Sequence, residues 1–114
     1  MTYTSYAEGF GNQLLEAFWA KLLPVVFEYP VFKSDIKQEG YEYISLGDKM
    51  RARNGFYFVD KTKLSNSAKL TAQYLKNKIL YKRLVDKNFL LAEKYHDIRL
   101  LKEKLSNLTS NILK

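Results

Sequence analysis

The chain is 114 residues long and carries a formal net charge of +7, with no cysteine and a single histidine. That length admits one small domain, and the absence of cysteine excludes a disulfide framework and thiolate chemistry, which fits a cytoplasmic protein. A lone histidine without cysteine or clustered carboxylate partners excludes a metal centre built around it, so no bound metal is expected.

In chain order, the N-terminus shows no basic segment followed by an apolar run, so no secretory signal is visible. Residues 1–46 read as a strand fragment, a loop, a helix over roughly 12–22, and strands near 24–28 and 41–46. This alternation predicts an α/β fold with a parallel sheet. The helix rests on Leu15, Phe18, Trp19 and Leu22, which recur at i, i+3, i+4 and i+7 and define one apolar face. Trp19 on that face reads as core. Leu22 to Phe27 is the longest apolar run. It is far too short to span a bilayer and contains Pro24, which stops the helix before the strand-like Val25-Val26-Phe27. Residues 47–61 are polar and basic, with Asn54-Gly55 as a turn and Phe56-Tyr57-Phe58-Val59 as a short strand. From Thr62 onward the chain reads as helical throughout. Leu64, Ala68, Thr71 and Leu75 predict one apolar stripe, Leu80, Leu84, Leu91 and Tyr95 a second. Ile98, Leu101, Leu105, Leu108 and Ile112 predict a third. Asp97 is the expected N-cap of the last helix.

The chemistry concentrates in Glu8-Gly9-Phe10-Gly11-Asn12-Gln13-Leu14-Leu15-Glu16, two carboxylates eight apart around a glycine turn. Gly9 and Gly11 lack a Cβ, so the backbone bends tightly and comes close to a ligand. The open N–H groups of the first helical turn then favour an anion. A glycine turn before a helix is by itself a weak signal, and an ordinary capping loop explains it equally.

The two glutamates at this spacing resemble the E-x7-E motif of retaining GT-B glycosyltransferases, the group 1 glycosyl transferase family. The resemblance extends to Tyr3 through Gly11, to Pro24-Val25-Val26-Phe27, to Tyr29-Pro30-Val31-Phe32 with Asp35-Ile36 and Gly40-Tyr41, read as a loop and strand, and to Asn88-Phe89-Leu91-Ala92 with Tyr95-His96. It is specific over residues 3–44, moderate over 80–105 and absent between. It implies a partial Rossmann-like domain, the C-terminal donor-binding half of a GT-B enzyme. The chain then forms a single truncated domain, with its motif region in 1–46 and a helical region in 62–114. The implied reaction moves a hexose from a nucleoside diphosphate sugar to an acceptor hydroxyl with retention. The resemblance gives Glu8 the reacting centre, where it binds sugar hydroxyls or offsets charge at the anomeric carbon. It gives Glu16 the ribose hydroxyls, since one carboxylate accepts two hydrogen bonds from a vicinal diol. Gly9, Phe10, Gly11, Asn12, Gln13 and Leu14 are assigned to the donor sugar and phosphates, largely through backbone amides. Phe10 reads equally as a core plug. Asn12 departs from the residue commoner in the family and reads equally as a helix cap. His96 matches a loosely aromatic position between helices. No cofactor is implied beyond the nucleotide-sugar substrate. An acceptor-binding domain, or a separately encoded partner carrying it, is needed for turnover, so the chain alone is expected to be inactive.

The basic residues raise a rival reading. Lys76, Lys78, Lys82, Arg83 and Lys87 crowd one region and Lys49, Arg51 and Arg53 another. Such surfaces bind nucleic acid or an anionic membrane, or form a solvated face. No RNP, zinc-finger or helix-turn-helix signature supports nucleic acid. A non-catalytic interaction module, pairing with itself or a partner chain through an exposed sheet edge, is the alternative to the enzyme.

Overall fold

Three two-residue strands pair in parallel and organise the first half of the molecule. The computed structural model describes residues 1–4 and 11–113. Strand β1 (Thr2–Tyr3) lies beside β2 (Val25–Val26), which lies beside β3 (Ile44–Ser45). The ladder continues past the strand ends. Val25 N–H donates to Met1, Phe27 to Tyr3, Ile44 to Pro24 and Leu46 to Val26, at 2.7–3.0 Å. Helix α1 (Asn12–Trp19) connects β1 to β2, and buries Leu14, Leu15, Ala17 and Phe18. Each large apolar side chain removed from water there contributes about 1.5–3 kcal/mol. The result is an α/β fold with a parallel sheet and a helical C-terminal half, compatible with a partial Rossmann-like domain.

Helix α1 ends at Trp19 rather than near residue 22. Lys21 N–H donates to the Phe18 carbonyl and Leu22 N–H to that of Ala17, with Lys21 left-handed at φ 55°. This is a Schellman stop, with lysine where glycine is usual. Leu22 falls outside the helix and is exposed, so the apolar face closes at Trp19, whose ring meets Phe89 edge-on at 5.3 Å. The strands are also shorter than expected. The connection from β2 to β3, read as loop and strand, contains a π-helical turn over Phe32–Ile36 and a 3₁₀ turn over Lys37–Glu39. Phe32 and Ile36 plug the core from that turn.

Residues 47–61 hold a hairpin of β4 (Met50–Arg53) and β5 (Phe56–Val59). Asn54 and Gly55 both have positive φ, 51° and 79°, the geometry of a type I′ turn. Helix α2 (Lys61–Lys76) starts on Asp60, α3 (Lys78–His96) on Asn77 and α4 (Ile98–Ile112) on Asp97, each side chain accepting first-turn N–H groups. Ser67 anchors α2 to the sheet edge by donating to the Ser45 carbonyl of β3 at 2.8 Å.

The three helical stripes need correction. On α2 the side facing inward carries Ser67, Leu70 and Tyr74, while Leu64 and Leu75 are exposed. On α3 the buried line is Val85, Asn88 and Ala92; Leu84 and Leu91 of the expected stripe pack partly buried beside it, while Tyr95 is exposed. No residue of α4 is buried, and its stripe stays 52–81% exposed. Extents of 57 × 39 × 18 Å accord with so open a C-terminal half.

Candidate functional site

Parallel α/β sheets present their ligand sites at the carboxyl ends of their strands. Glu8, Gly9 and Phe10 come between β1 and α1 in the sequence and lie outside the described residues. What is described begins with Gly11, the N-cap of α1, left-handed at φ 88°. Gly11 rather than Asn12 is thus the cap, and Asn12 is the first helical residue. The glycine is required twice over. A Cβ there would lie 2.1 Å from the Tyr29 hydroxyl oxygen, besides demanding a positive φ of an L-residue. The close approach that glycine permits is to the buried Tyr29.

The Gly11 carbonyl accepts N–H bonds from Leu14 (3.0 Å) and Leu15 (3.2 Å). Leu14's amide is therefore used inside the helix and its side chain is fully buried. The amides of Asn12 and Gln13 have no acceptor among the described residues, and both residues are exposed. Glu16 lies one turn further on. It is exposed, and its carboxylate has no partner among the described residues. Beside Asn12 a cleft of about 500 Å³ runs to the α3–α4 junction, lined also by Leu15, Tyr95, His96, Asp97 and Lys104. The helix start thus offers two open amides, an accessible carboxylate and, across the cleft, the Lys104 side chain.

His96 ends α3 and does more than occupy an aromatic position. Its Nε2 lies 2.6 Å from the Glu39 carboxylate, and its ring stacks on Tyr41, which stacks on Phe18 of α1 at 4.1 Å. Glu39 and His96 are 57 residues apart, and no spacing in the sequence joins them. The pair fixes the end of α3, one wall of the cleft, to the 3₁₀ turn over Lys37–Glu39, and the stacked rings carry on to α1. Among the described residues no group of three or more potential metal ligands occurs.

A second polar assembly sits at the end of β2. Glu28 is nearly buried and its carboxylate accepts from Lys37 Nζ (2.8 Å), Tyr43 Oη (2.9 Å) and Ser45 Oγ (2.7 Å). Its N–H donates to the Gly47 carbonyl. Burial pushes its pKa up, but the hydrogen bonds from Lys37, Ser45 and Tyr43 outweigh burial and hold it below the ordinary 4.5. A depressed acid stabilises the fold when ionised. Its contribution is therefore complete above about pH 4.5 and lost as pH falls through the lower folded value. Glu28→Gln should cost about 1.5–3 kcal/mol at neutral pH. The deficit should shrink below pH 4.5. Urea melts of both proteins across the acid range measure this, and parallel stability curves would refute it.

The fold and site define an α/β domain with a helix start open at the ligand edge of a parallel sheet. Over 106 residues, 93% of the chain, it is 42% identical to a mannosylglucosylglycerate synthase of Thermotoga maritima. Over 64 residues, 56% of the chain, it is 48% identical to a mannosylglucosylglycerate synthase of Petrotoga mobilis. The matches span 25% and 15% of those proteins. No family model and no solved structure matches the chain. No helix among the described residues is long and apolar enough to cross a membrane.

Proposed function

We propose that this chain is the donor-side part of a retaining GT-B glycosyltransferase, and that it holds the E-x7-E end of a nucleoside diphosphate sugar site. The observation that carries the reading is the 42% identity along 93% of the chain to a synthase of a glycosylated glycerate. The relatives' name describes a product of mannose, glucose and glycerate. That product implies a step joining a mannosyl unit to a hydroxyl of glucosylglycerate. In this reading Glu16 receives the ribose hydroxyls, as its exposed and unshared carboxylate allows. The open amides of Asn12 and Gln13, with Gly11 turning the chain, face the leaving diphosphate and offset its charge. Gly9 and Phe10, outside the described residues, are assigned with Gly11 to the donor sugar and phosphates and Glu8 to the transferred sugar, while the buried Leu14 packs into the core. The chemistry needs no bound metal, because the helix start and basic side chains carry the leaving-group charge.

The chain spans a quarter or less of these relatives, so the acceptor and the rest of the donor are expected to bind to other parts of such an enzyme, or to a partner chain. The isolated 114 residues should bind nucleotide weakly and turn nothing over. Titration with UDP, GDP and ADP, followed by thermal shift and calorimetry, tests the site. A native-state ligand at about 100 times its Kd adds about 2.7 kcal/mol of stability. One nucleotide should stabilise the chain, and the effect should vanish in Glu16→Ala. No stabilisation by any of the three, in a folded protein, would remove the donor site from this chain.

A further inference from the structure

Beyond the donor site, the carboxyl edge of the sheet carries a second cavity. It holds about 590 Å³ between the Gly47–Lys49 turn after β3, the base of the β4–β5 hairpin and the first turn of α2. Three cations line it: Lys49, Arg51 and Lys63. None has an ion pair or side-chain hydrogen bond among the described residues. The two carboxylates in the wall are already engaged. Asp48 binds Lys33 Nζ at 3.0 Å, and Asp60 Oδ1 accepts the N–H groups of Thr62 (2.8 Å) and Lys63 (3.3 Å) to cap α2. With Asp48 offset by Lys33, the wall keeps three cations against the single charge of Asp60.

The cations are also placed. Gly47 has a positive φ of 77°, and the Lys63 side chain lies along it, with its Cγ, Cδ and Cε 3.8–3.9 Å from where a Cβ would stand. Arg51 is held in the hairpin ladder opposite Phe58. On its other side it opens on a neighbouring cavity of about 750 Å³, lined by Arg53, Phe58, Val59, Lys61 and Leu64. A guanidinium fork between a cationic pocket and an aromatic-walled one suits a compact oxyanion whose organic body extends along the hairpin.

We infer that Lys49, Arg51 and Lys63 form a binding site for the phosphate or carboxylate group of a small organic molecule. The site is separate from the α1 helix start and does not depend on the donor-site reading. Amide chemical shifts of the full chain, titrated with inorganic phosphate and in parallel with D-glycerate, test it. The expected result is saturable shifts at Gly47, Lys49, Arg51 and Asn66 that persist in Glu16→Ala. Binding should weaken about tenfold in Arg51→Ala and in Lys63→Gln, since each loses a charge-assisted hydrogen bond. Arg51→Lys should recover part of the loss. All three substitutions fall on exposed side chains, so the variants fold. Preference for phosphate identifies a phosphoester ligand, and preference for glycerate a carboxylic acid. Shifts that do not saturate, or that are equal in Arg51→Ala, overturn the site. So do shifts caused by phosphatidylglycerol vesicles and by neither free anion, which would make the exposed Phe56, Tyr57 and Phe58 a membrane contact instead.

Discussion

Gly11→Ala should destabilise the chain by about 3 kcal/mol or more, enough to unfold much of a marginally stable small domain. Two costs combine. A left-handed conformation in an L-residue costs about 1–2 kcal/mol, and Gly11 sits at φ 88°. The added methyl would stand 2.1 Å from the Tyr29 hydroxyl oxygen and 3.4 Å from its Cζ. Tyr29 is fully buried among Tyr3, Phe32 and the β2 end, so its rigid ring has no free space to retreat into. Overpacking of this kind typically costs about 1–3 kcal/mol.

The two costs separate in a double-mutant cycle. Removing the hydroxyl in Tyr29→Phe leaves the methyl an ordinary tight contact and does nothing for φ. Gly11→Ala/Tyr29→Phe should therefore be more stable than Gly11→Ala alone, although Tyr29→Phe by itself costs about 1 kcal/mol. Denaturant midpoints with unchanged m-values would measure this. Simple additivity of the two substitutions would show that the hydroxyl is not what glycine makes room for. Because Gly11 also starts α1, the same variant should lose whatever nucleotide stabilisation the native chain shows.

How much of this was readable beforehand follows from the range of each interaction. The start of α1 was legible because Gly11 and the Leu15–Phe18–Trp19 period are local. Its end was not, because Lys21 takes a left-handed stop that its residue type does not announce. The parallel sheet was legible from β-branched residues between turn signals, whereas the turns over Phe32–Ile36 and Lys37–Glu39 carry no such pattern. Periodicity identified α2, α3 and α4 but misplaced the inner face of α2 and placed that of α3 only in part, through Leu84 and Leu91. A stripe such as Ile98, Leu101, Leu105, Leu108 and Ile112 records that a face is apolar, not that something in the same chain covers it. The site divides similarly. Gly11, Asn12, Gln13 and Glu16 are adjacent and could be found by spacing. Glu39 with His96, Glu28 with Lys37, Tyr43 and Ser45, and the cations around the hairpin meet only through tertiary folding.

Asn88 is the sharpest instance, and its replacement should have the second large effect. It lies on the inner line of α3 at 0% exposure, where a leucine would be the default by pattern. Its Oδ1 accepts the Glu42 N–H at 2.7 Å and its Nδ2 donates to the Glu42 carbonyl at 2.8 Å. The side-chain amide thus pairs with both backbone groups of Glu42, two residues before β3, as a residue of a neighbouring strand would, and ties α3 to the sheet. Asn88→Leu would bury an N–H and a carbonyl without partners, at about 1–3 kcal/mol each, so a loss of about 4 kcal/mol is expected by denaturant unfolding. Asn88→Asp separates shape from hydrogen bonding. Ionised, it keeps one acceptor, loses the donor and sets negative charge against the Glu42 carbonyl. Protonated, its hydroxyl can donate as Nδ2 did. The folded state therefore raises this acid's pKa above its unfolded value of about 3.9. The deficit relative to the native chain should be full above the raised pKa and shrink as pH falls through it towards the unfolded value. Asn88→Asp should thus look milder when its carboxyl is protonated, because its fit at Glu42 is restored. A deficit independent of pH, or an Asn88→Leu protein as stable as the native chain, would mean that the paired amide is not what holds α3 in place.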